Sequence, residues 1–253
     1  MDPQWEPLIS TSRNRELLSD FAPGVPIGKG GFAMVFRAVR IFDEKYFSVK
    51  VYNKTDKKAS KTRTELLRAE SQLLRSLRHP AVVSFSDFRE SPTHIFIVTE
   101  YCNGGDVCKY LQSRGGDQRL PEHEVVSAIR DVLQALAFIH ERKVVHRDIK
   151  PENILIVKHE KTDALISAKL ADFGLSAQLE NTFLTQLSRR CGSWAYAAPE
   201  LLKKEPYTEV SSDSSAEDRY LWHRNRHIHH VVRETPFRAH SQWQSGHGKA
   251  HLS

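Results

Sequence analysis

Eight consecutive residues constrain this chain more than any others: His146-Arg147-Asp148-Ile149-Lys150-Pro151-Glu152-Asn153. A carboxylate able to take a proton stands two residues before a lysine able to hold a phosphate. The same carboxylate stands five residues before an asparagine able to ligate a metal. Phosphoryl transfer needs those roles close together, because its catalysis is mostly positioning and charge neutralisation. A fold that presents this loop must also bring a polyphosphate and further charged groups to it.

The upstream chain offers such groups. From Phe21 a strand pattern runs into Gly28-Lys29-Gly30-Gly31-Phe32-Ala33-Met34-Val35. Glycines there let backbone N–H groups approach phosphate oxygens. Strand-like residues flank the turn: Val25 and Ile27 before it, Val35, Phe36, Ala38 and Val39 after it. A helix after the turn would have pointed instead to a Rossmann or P-loop site. Residues 46–52 read as a strand with Lys50 embedded among apolar neighbours.

Residues 62–78 read as a helix whose apolar face is Leu66, Ala69, Leu73, Leu74 and Leu77. Glu70 points with that stripe, and a carboxylate on a buried face needs a cation. Lys50 is the candidate partner; Glu65, farther round the helix, is the alternative acid. His79-Pro80 ends the helix, and residues 82–88 and 94–101 read as strands. Asn103-Gly104-Gly105-Asp106 is a turn that opens the next helix.

Residues 121–142 form a long helix with Val125, Val126, Ile129, Val132, Leu133, Leu136 and Ile139 on its apolar face. It delivers the chain to residue 146. Beyond Asn153 come a strand over 154–157, a polar insertion over 158–167, Asp172-Phe173-Gly174, and the stretch Cys191-Gly192-Ser193 to Ala198-Pro199-Glu200.

Composition sets the limits. A chain of 253 residues with 40% hydrophobic and 27% charged content has the balance of a soluble globular protein. Its net charge of +6 suits a polyanionic ligand such as a nucleotide and does not call for a nucleic-acid partner. Cys102, Cys108 and Cys191 are odd in number and lack metal-ligand spacing, which predicts a reduced, cytoplasmic setting. No run of about 18 apolar residues predicts a transmembrane helix. Arg130 and Asp131 exclude one within 121–142. Asp2 and Glu6, with no apolar run beside them, predict no signal peptide, and residues 1–20 read as a polar lead-in.

In their order from Gly28 to Glu200, these motifs resemble the eukaryotic protein kinase family, Ser/Thr type. The resemblance implies an α+β, bilobal fold. A small β-rich N-lobe would span 21–101. A helical C-lobe would span 102–210 and be incomplete after about residue 209. It implies a protein Ser/Thr kinase that uses ATP and Mg2+. Asp148 would accept or orient the substrate hydroxyl proton, and Lys150 would steady the transferred γ-phosphoryl. Asn153 and Asp172 would hold magnesium, and Lys50, paired with Glu70, would hold the α- and β-phosphates.

Gly28, Gly30 and Val35 would cover the nucleotide, with Ala33 in place of the third glycine. Glu100 and Cys102 would read adenine through backbone groups, with Thr99 behind it and Val35, Ser48 and Leu155 sandwiching it. Leu74, Phe85, His146 and Phe173 would tie the lobes. Lys150 and Ser193 resemble Ser/Thr rather than tyrosine kinases. The Cys-Gly-Ser run and the insertion look more like calmodulin-dependent or autophagy-initiating kinases than cyclin-dependent ones. Arg147 could pair with a phosphate on the activation loop. Arg189 occupies the usual position, so Ser188 and Thr185 are the candidates.

After Tyr207-Thr208-Glu209 the resemblance ends. Residues 211–253 hold seven histidines, six Arg or Lys, and no helical apolar period. Permitted codons for residues 218–238, read one nucleotide later, give an Asp, an aromatic, a Gly-spaced apolar run and then Gly-x-x-Pro-Phe. That resembles the family's missing buried helix. Metal binding by His227, His229 and His230, or nucleic-acid binding by the Arg/His/Trp mixture, are the alternatives; the favoured expectation is a frameshift, a mis-set splice site or an alternative transcript near codons 209–218. A transcript whose shifted frame meets early stops overturns it.

Overall fold

The structure is a computed structural model and describes residues 5–22, 24–29, 33–55, 61–114 and 119–178. Five antiparallel strands form one sheet in the order β1-β2-β3-β5-β4. They are β1 (Val25–Lys29), β2 (Met34–Val39), β3 (Tyr46–Asn53), β4 (Phe85–Glu90) and β5 (His94–Glu100). Side chains alternate across a strand, and β3 shows the consequence. Phe47, Val49 and Val51 fall on one face, Ser48, Lys50 and Tyr52 on the other.

The first face is apolar at its centre. Phe36 and Ala38 of β2 join Phe47, Val49 and Val51 of β3 and Phe96 and Val98 of β5 there. The expected polar lead-in over 1–20 is corrected from Trp5 onward. A 3-10 turn (Glu6–Ile9) and α1 (Ser12–Leu17) bring Trp5, Leu8 and Leu18 onto this face. Trp5 is 1% exposed and meets Phe36 edge-on at 5.1 Å between ring centroids. Thr11 caps α1 by accepting from the Asn14 N–H. Asn14 is buried, donating to Leu8 O and contacting His94 Nδ1, and Arg89 grips both Asp20 and the Leu17 carbonyl. Three apolar residues scattered in and beside two short elements leave no periodicity for sequence to show.

The second face carries α2 (Lys61–Ser76). Its phase differs from the expected one: Leu67, Glu70, Ser71 and Leu74 are buried, while Leu66 is 52% exposed and Ala69 is exposed too. Adjacent leucines at 66 and 67 leave the phase ambiguous by one residue, and the packing against β5 selects Leu67. Leu67 clusters with Tyr52, Ile95 and Ile97. Leu74, two turns on, belongs to a separate core with Tyr110, Leu136, Ile139, Ile156, Leu170 and Phe173.

That second core is built on α3 (Val107–Ser113) and α4 (Glu122–Glu141). Two short pairings join it: β6 (Val144–Val145) with β9 (Ala177–Gln178), and β7 (Ile154–Lys158) with β8 (Leu165–Leu170). The polar insertion expected over 158–167 is thus the tip of a hairpin plus the start of β8. The face of α4 is also corrected. Ala128, Val132, Ala135, Leu136 and Ile139 point inward, with the acids Glu124 and Asp131 among them, whereas Val126 is 59% exposed. Asp131 accepts from the Ala168 N–H at 2.9 Å and Glu124 from Tyr110 at 3.4 Å, so these buried acids are hydrogen-bonded. No helix among the described residues is long and apolar enough to cross a membrane.

Candidate active site

The loop after β6 is shaped by its own hydrogen bonds. His146 is buried, with Nε2 3.0 Å from Ala171 O and Nδ1 accepting from the Asp148 N–H. That pattern makes Nε2 the protonated nitrogen. Burial holds the imidazole below its ordinary value, although the Ala171 carbonyl and two nearby carboxylates oppose the shift. The Phe173 ring stands edge-on to His146 at 4.8 Å and packs in the core that holds Leu74, with Phe85 at its margin. His146 and Phe173 are thus in contact, and Leu74 and Phe85 belong to or pack against the same core. Arg147 and Asp172 both take left-handed backbone conformations, at φ 68 and 60. Such strain in non-glycine residues persists only where surrounding contacts hold it.

Asp148, Lys150 and Asn153 converge. Asn153 Nδ2 donates to Asp148 O at 2.8 Å and to Asp148 Oδ2 at 2.9 Å. Lys150 Nζ reaches the same Oδ2 at 2.8 Å. The two acceptors fix the amide's orientation, so the side-chain oxygen of Asn153 is kept for another partner. A 3-10 turn (Pro151–Asn153) sets this spacing, and Ala171 N–H donates to Asn153 O, tying the loop to the segment that carries Asp172.

Lys50 links the sheet to that segment. Its Nζ lies 2.9 Å from Asp172 Oδ1 and 3.7 Å from Glu70 Oε1. Burial works against the ammonium charge, but Glu70, Tyr52 and Asp172 outweigh it and raise Lys50 above the ordinary lysine range. Burial likewise raises Glu70, against the pull of Lys50. Asp172 goes the other way: despite burial, Lys50 and the Gly174 N–H hold its carboxylate below the ordinary value. The sequence assignment of Glu70 over Glu65 agrees with this geometry; Glu65 is exposed.

Several residues expected at the nucleotide are neighbours by strand pairing. Val35 pairs with Lys50 and with Gly28 across neighbouring strands, and Ser48 pairs with Thr99. Gly30 lies outside the described residues, as do Thr185, Ser188, Arg189, Ser193 and the tail after 209. Leu155 bridges to Asp106 and packs at the edge of the lower core. The Glu100 side chain is held by Lys169 Nζ at 2.9 Å and the Ser84 N–H at 2.6 Å, and its own N–H donates to Ser84 O at 3.0 Å. Cys102 is buried, and that burial pushes its thiol up to about 12, well away from reactivity.

Several contacts have no signature in the sequence. A Cβ on Gly174 would lie 3.1 Å from Glu70 Oε2 and 3.3 Å from Asp172 Oδ1, so only glycine leaves both carboxylates in place. Gly104 is more tightly constrained, with the backbone Ile156 O 2.8 Å from such a Cβ. Asn103 exchanges two hydrogen bonds with the Lys158 backbone, at 3.0 and 2.9 Å. Lys109 Nζ donates to Ile27 O at 3.1 Å, tying α3 to the first strand of the sheet. Each depends on segments distant in sequence.

The residues present fit a nucleotide with a divalent cation. Among the described residues no cluster of three or more His, Cys, Asp or Glu could hold a metal alone. Magnesium asks less: it binds through one or two protein groups, completing its shell with phosphates and water. Asn153 and Asp172, on adjoining segments, would supply two such oxygens.

Comparison with known proteins identifies the family. The pattern of the protein kinase domain family matches residues 21–215. The Schizosaccharomyces pombe serine/threonine-protein kinase cds1 is 34% identical over 200 residues, covering 78% of this chain and 41% of that protein. Human calcium/calmodulin-dependent protein kinase type IV is 34% identical over 192 residues, 75% of this chain and 37% of that protein. Xenopus laevis serine/threonine-protein kinase ULK3 is 32% identical over 191 residues, 75% of this chain and 38% of that protein. The chain spans about two fifths of the length of these curated relatives. By motif order, sheet topology and family match, it belongs to the protein kinase domain family.

Proposed function

We propose that this chain transfers the γ-phosphoryl group of ATP to serine or threonine hydroxyls of protein substrates, in an intracellular setting. The observation that carries the reading is the convergence of Lys150 and Asn153 on one carboxylate oxygen of Asp148. Asp148 is thereby held for the hydroxyl proton, and Lys150 stands where it can steady the group in transfer. Lys50, its charge maintained by Glu70, holds the α- and β-phosphates. Backbone groups of Glu100 and Cys102, with Val35 and Leu155 above and below, fit adenine, and Gly28 fits the phosphates. Bound magnesium, on Asn153 and Asp172, would neutralise phosphate charge.

One observation favours a second reading, a chain that binds nucleotide with little turnover. The apolar stripe Val126, Ile129, Leu133 and Ala137 lines an open groove of about 390 Å³ walled by α4 alone among the described residues. A C-lobe that leaves such a face uncovered would support its catalytic loop poorly. The two readings separate in one experiment. Purified chain is mixed with Mg·ATP and Ser-, Thr- or Tyr-containing peptides, and both the nucleotide-induced thermal shift and phosphate incorporation are measured. Incorporation into Ser and Thr peptides that Asp148→Asn abolishes supports the first reading. A thermal shift without incorporation supports the second, and neither signal refutes both.

A further inference from the structure

β4 is an edge strand of the sheet, and an open groove of about 850 Å³ lies between it and the second half of α2. The register of β4 against β5 slips between Phe85 and Asp87. On a regular strand, residues three apart face opposite sides. The extra residue of the bulge puts Phe85 and Phe88 on the same side, where both pack beside the cluster of Tyr52, Leu67, Ile95 and Ile97. Both phenylalanines stay partly accessible from the groove. The end wall is fixed: His79 Nδ1 accepts from the Ala81 N–H at 3.1 Å, and its ring stacks on Phe138 at 4.8 Å.

The helix supplies the opposite wall with Arg68, Gln72 and Arg75, which share one stripe of α2, and Arg78 follows just past the helix end. The acids beside the groove are already committed. Glu90 holds Lys54 at 2.8 Å and Arg68 at 2.7 Å, and Asp87 holds Arg89 at 2.8 Å. Arg75 and Arg78 are exposed and have no acidic partner among the described residues. The groove thus joins an aromatic floor to two uncommitted guanidiniums. A guanidinium is shaped to hold a carboxylate, and exposed aromatic surface gains from an apolar side chain laid on it. A nucleic-acid backbone would leave that floor unfilled, and two guanidiniums neutralise few phosphates. From Arg68 to Arg75 the helix climbs about 10 Å, the reach of about three extended residues.

We propose that this groove docks an extended acidic segment of a partner protein, with an aromatic side chain on Phe85 and Phe88 and carboxylates on Arg75 and Arg78. Docking here needs no phosphotransfer, so it stands or falls separately from the function proposed above.

Fluorescence anisotropy on the full chain measures binding of a labelled synthetic peptide, Glu-Asp-Phe-Glu-Phe-Asp, and of a counterpart with Lys at every acidic position. The acidic peptide should bind the wild-type chain saturably, and the lysine peptide about tenfold more weakly or worse. Arg75→Glu combined with Arg78→Glu should invert that order, a result that misfolding cannot produce. Replacing both Phe of the acidic peptide with Ser should also weaken binding about tenfold or more, as loss of an aromatic anchor does. No saturable binding up to about 1 mM acidic peptide, or equal binding to the double variant, overturns the proposal. Single-stranded RNA that displaces the peptide and binds more tightly overturns it as well. Sedimentation supplies the last arm: self-association of the wild-type chain that the double variant loses gives this face to a second copy and overturns the proposal too.

Discussion

The side-chain amide of Asn153 donates to both oxygen types of Asp148, the backbone carbonyl at 2.8 Å and the carboxylate at 2.9 Å. One residue thus fixes both the loop's backbone and the direction of the proposed base. Asn153→Ala removes this support together with a metal-facing oxygen. Phosphotransfer is expected to fall by about 10²–10⁴-fold, the range for losing positioned acid–base catalysis. Asp148→Asn should fall as far while still binding Mg·ATP. Initial rates with a Ser peptide test both, and a loss under tenfold in either variant would contradict the assignment.

Gly174 makes a second, steric prediction. Gly174→Ala places a methyl 3.1 Å from Glu70 Oε2 and 3.3 Å from Asp172 Oδ1, closer than most carbon contacts allow. One carboxylate must move, and both serve the Lys50 site. A kcat/KM for ATP lowered about tenfold, equivalent to about 1.4 kcal/mol, is expected. The melting temperature should change little, because the methyl is small and the nearest atoms belong to side chains. Wild-type kinetics in this variant would show that the contact is easily relieved.

Trp5 tests the N-terminal segment. Its ring is buried against Phe36 and against Gly24, where a Cβ would come within 2.9 Å of the indole. Trp5→Ala opens a cavity over the outer sheet face, and such losses cost about 3–5 kcal/mol in well-packed cores. Urea denaturation should show that destabilisation. A loss below about 1 kcal/mol would mean that the segment docks only loosely.

The buried His146 predicts a pH dependence. Its folded-state value is held below the ordinary histidine value of 6.5, chiefly by burial. Below about pH 6.5 the unfolded chain takes up a proton that the folded chain refuses. Stability should therefore be complete above that pH and decline as the pH falls toward the depressed folded value. His94, also held low by burial, adds to the same trend. Melting temperatures from pH 8 to 5.5 should fall less steeply in His146→Phe than in wild type; parallel curves would count against a neutral buried His146.

Much of the site is legible from local spacing. Asp148, Lys150 and Asn153 sit within one loop, and a loop that short leaves little choice about their separation. Lys50, Glu70 and Asp172 are readable because each lies in a recognisable local pattern, and the family's order joins them. What the sequence conceals is set by tertiary approach. Gly174 is special only because Glu70 arrives from another element. Tyr52 looks like any strand aromatic until Lys50 is seen beside it. Trp5 lies in a segment too short and mixed to show a period. The one-residue difference in the phase of α2 comes from two adjacent leucines that periodicity cannot rank.

The helix carrying Glu70 has a divided allegiance. Leu67 is packed with the sheet residues Tyr52, Ile95 and Ile97, whereas Leu74 is packed with Phe173, Ile139 and the rest of the lower core. Where packing is divided, local opening divides as well. Amide hydrogen exchange should therefore split within α2. The turn around Leu67 should exchange with the sheet, and the turn around Leu74 with α4 and the Phe173 segment. Glu70 sits at that seam, so the ion pair with Lys50 reports the fit between the two packing clusters.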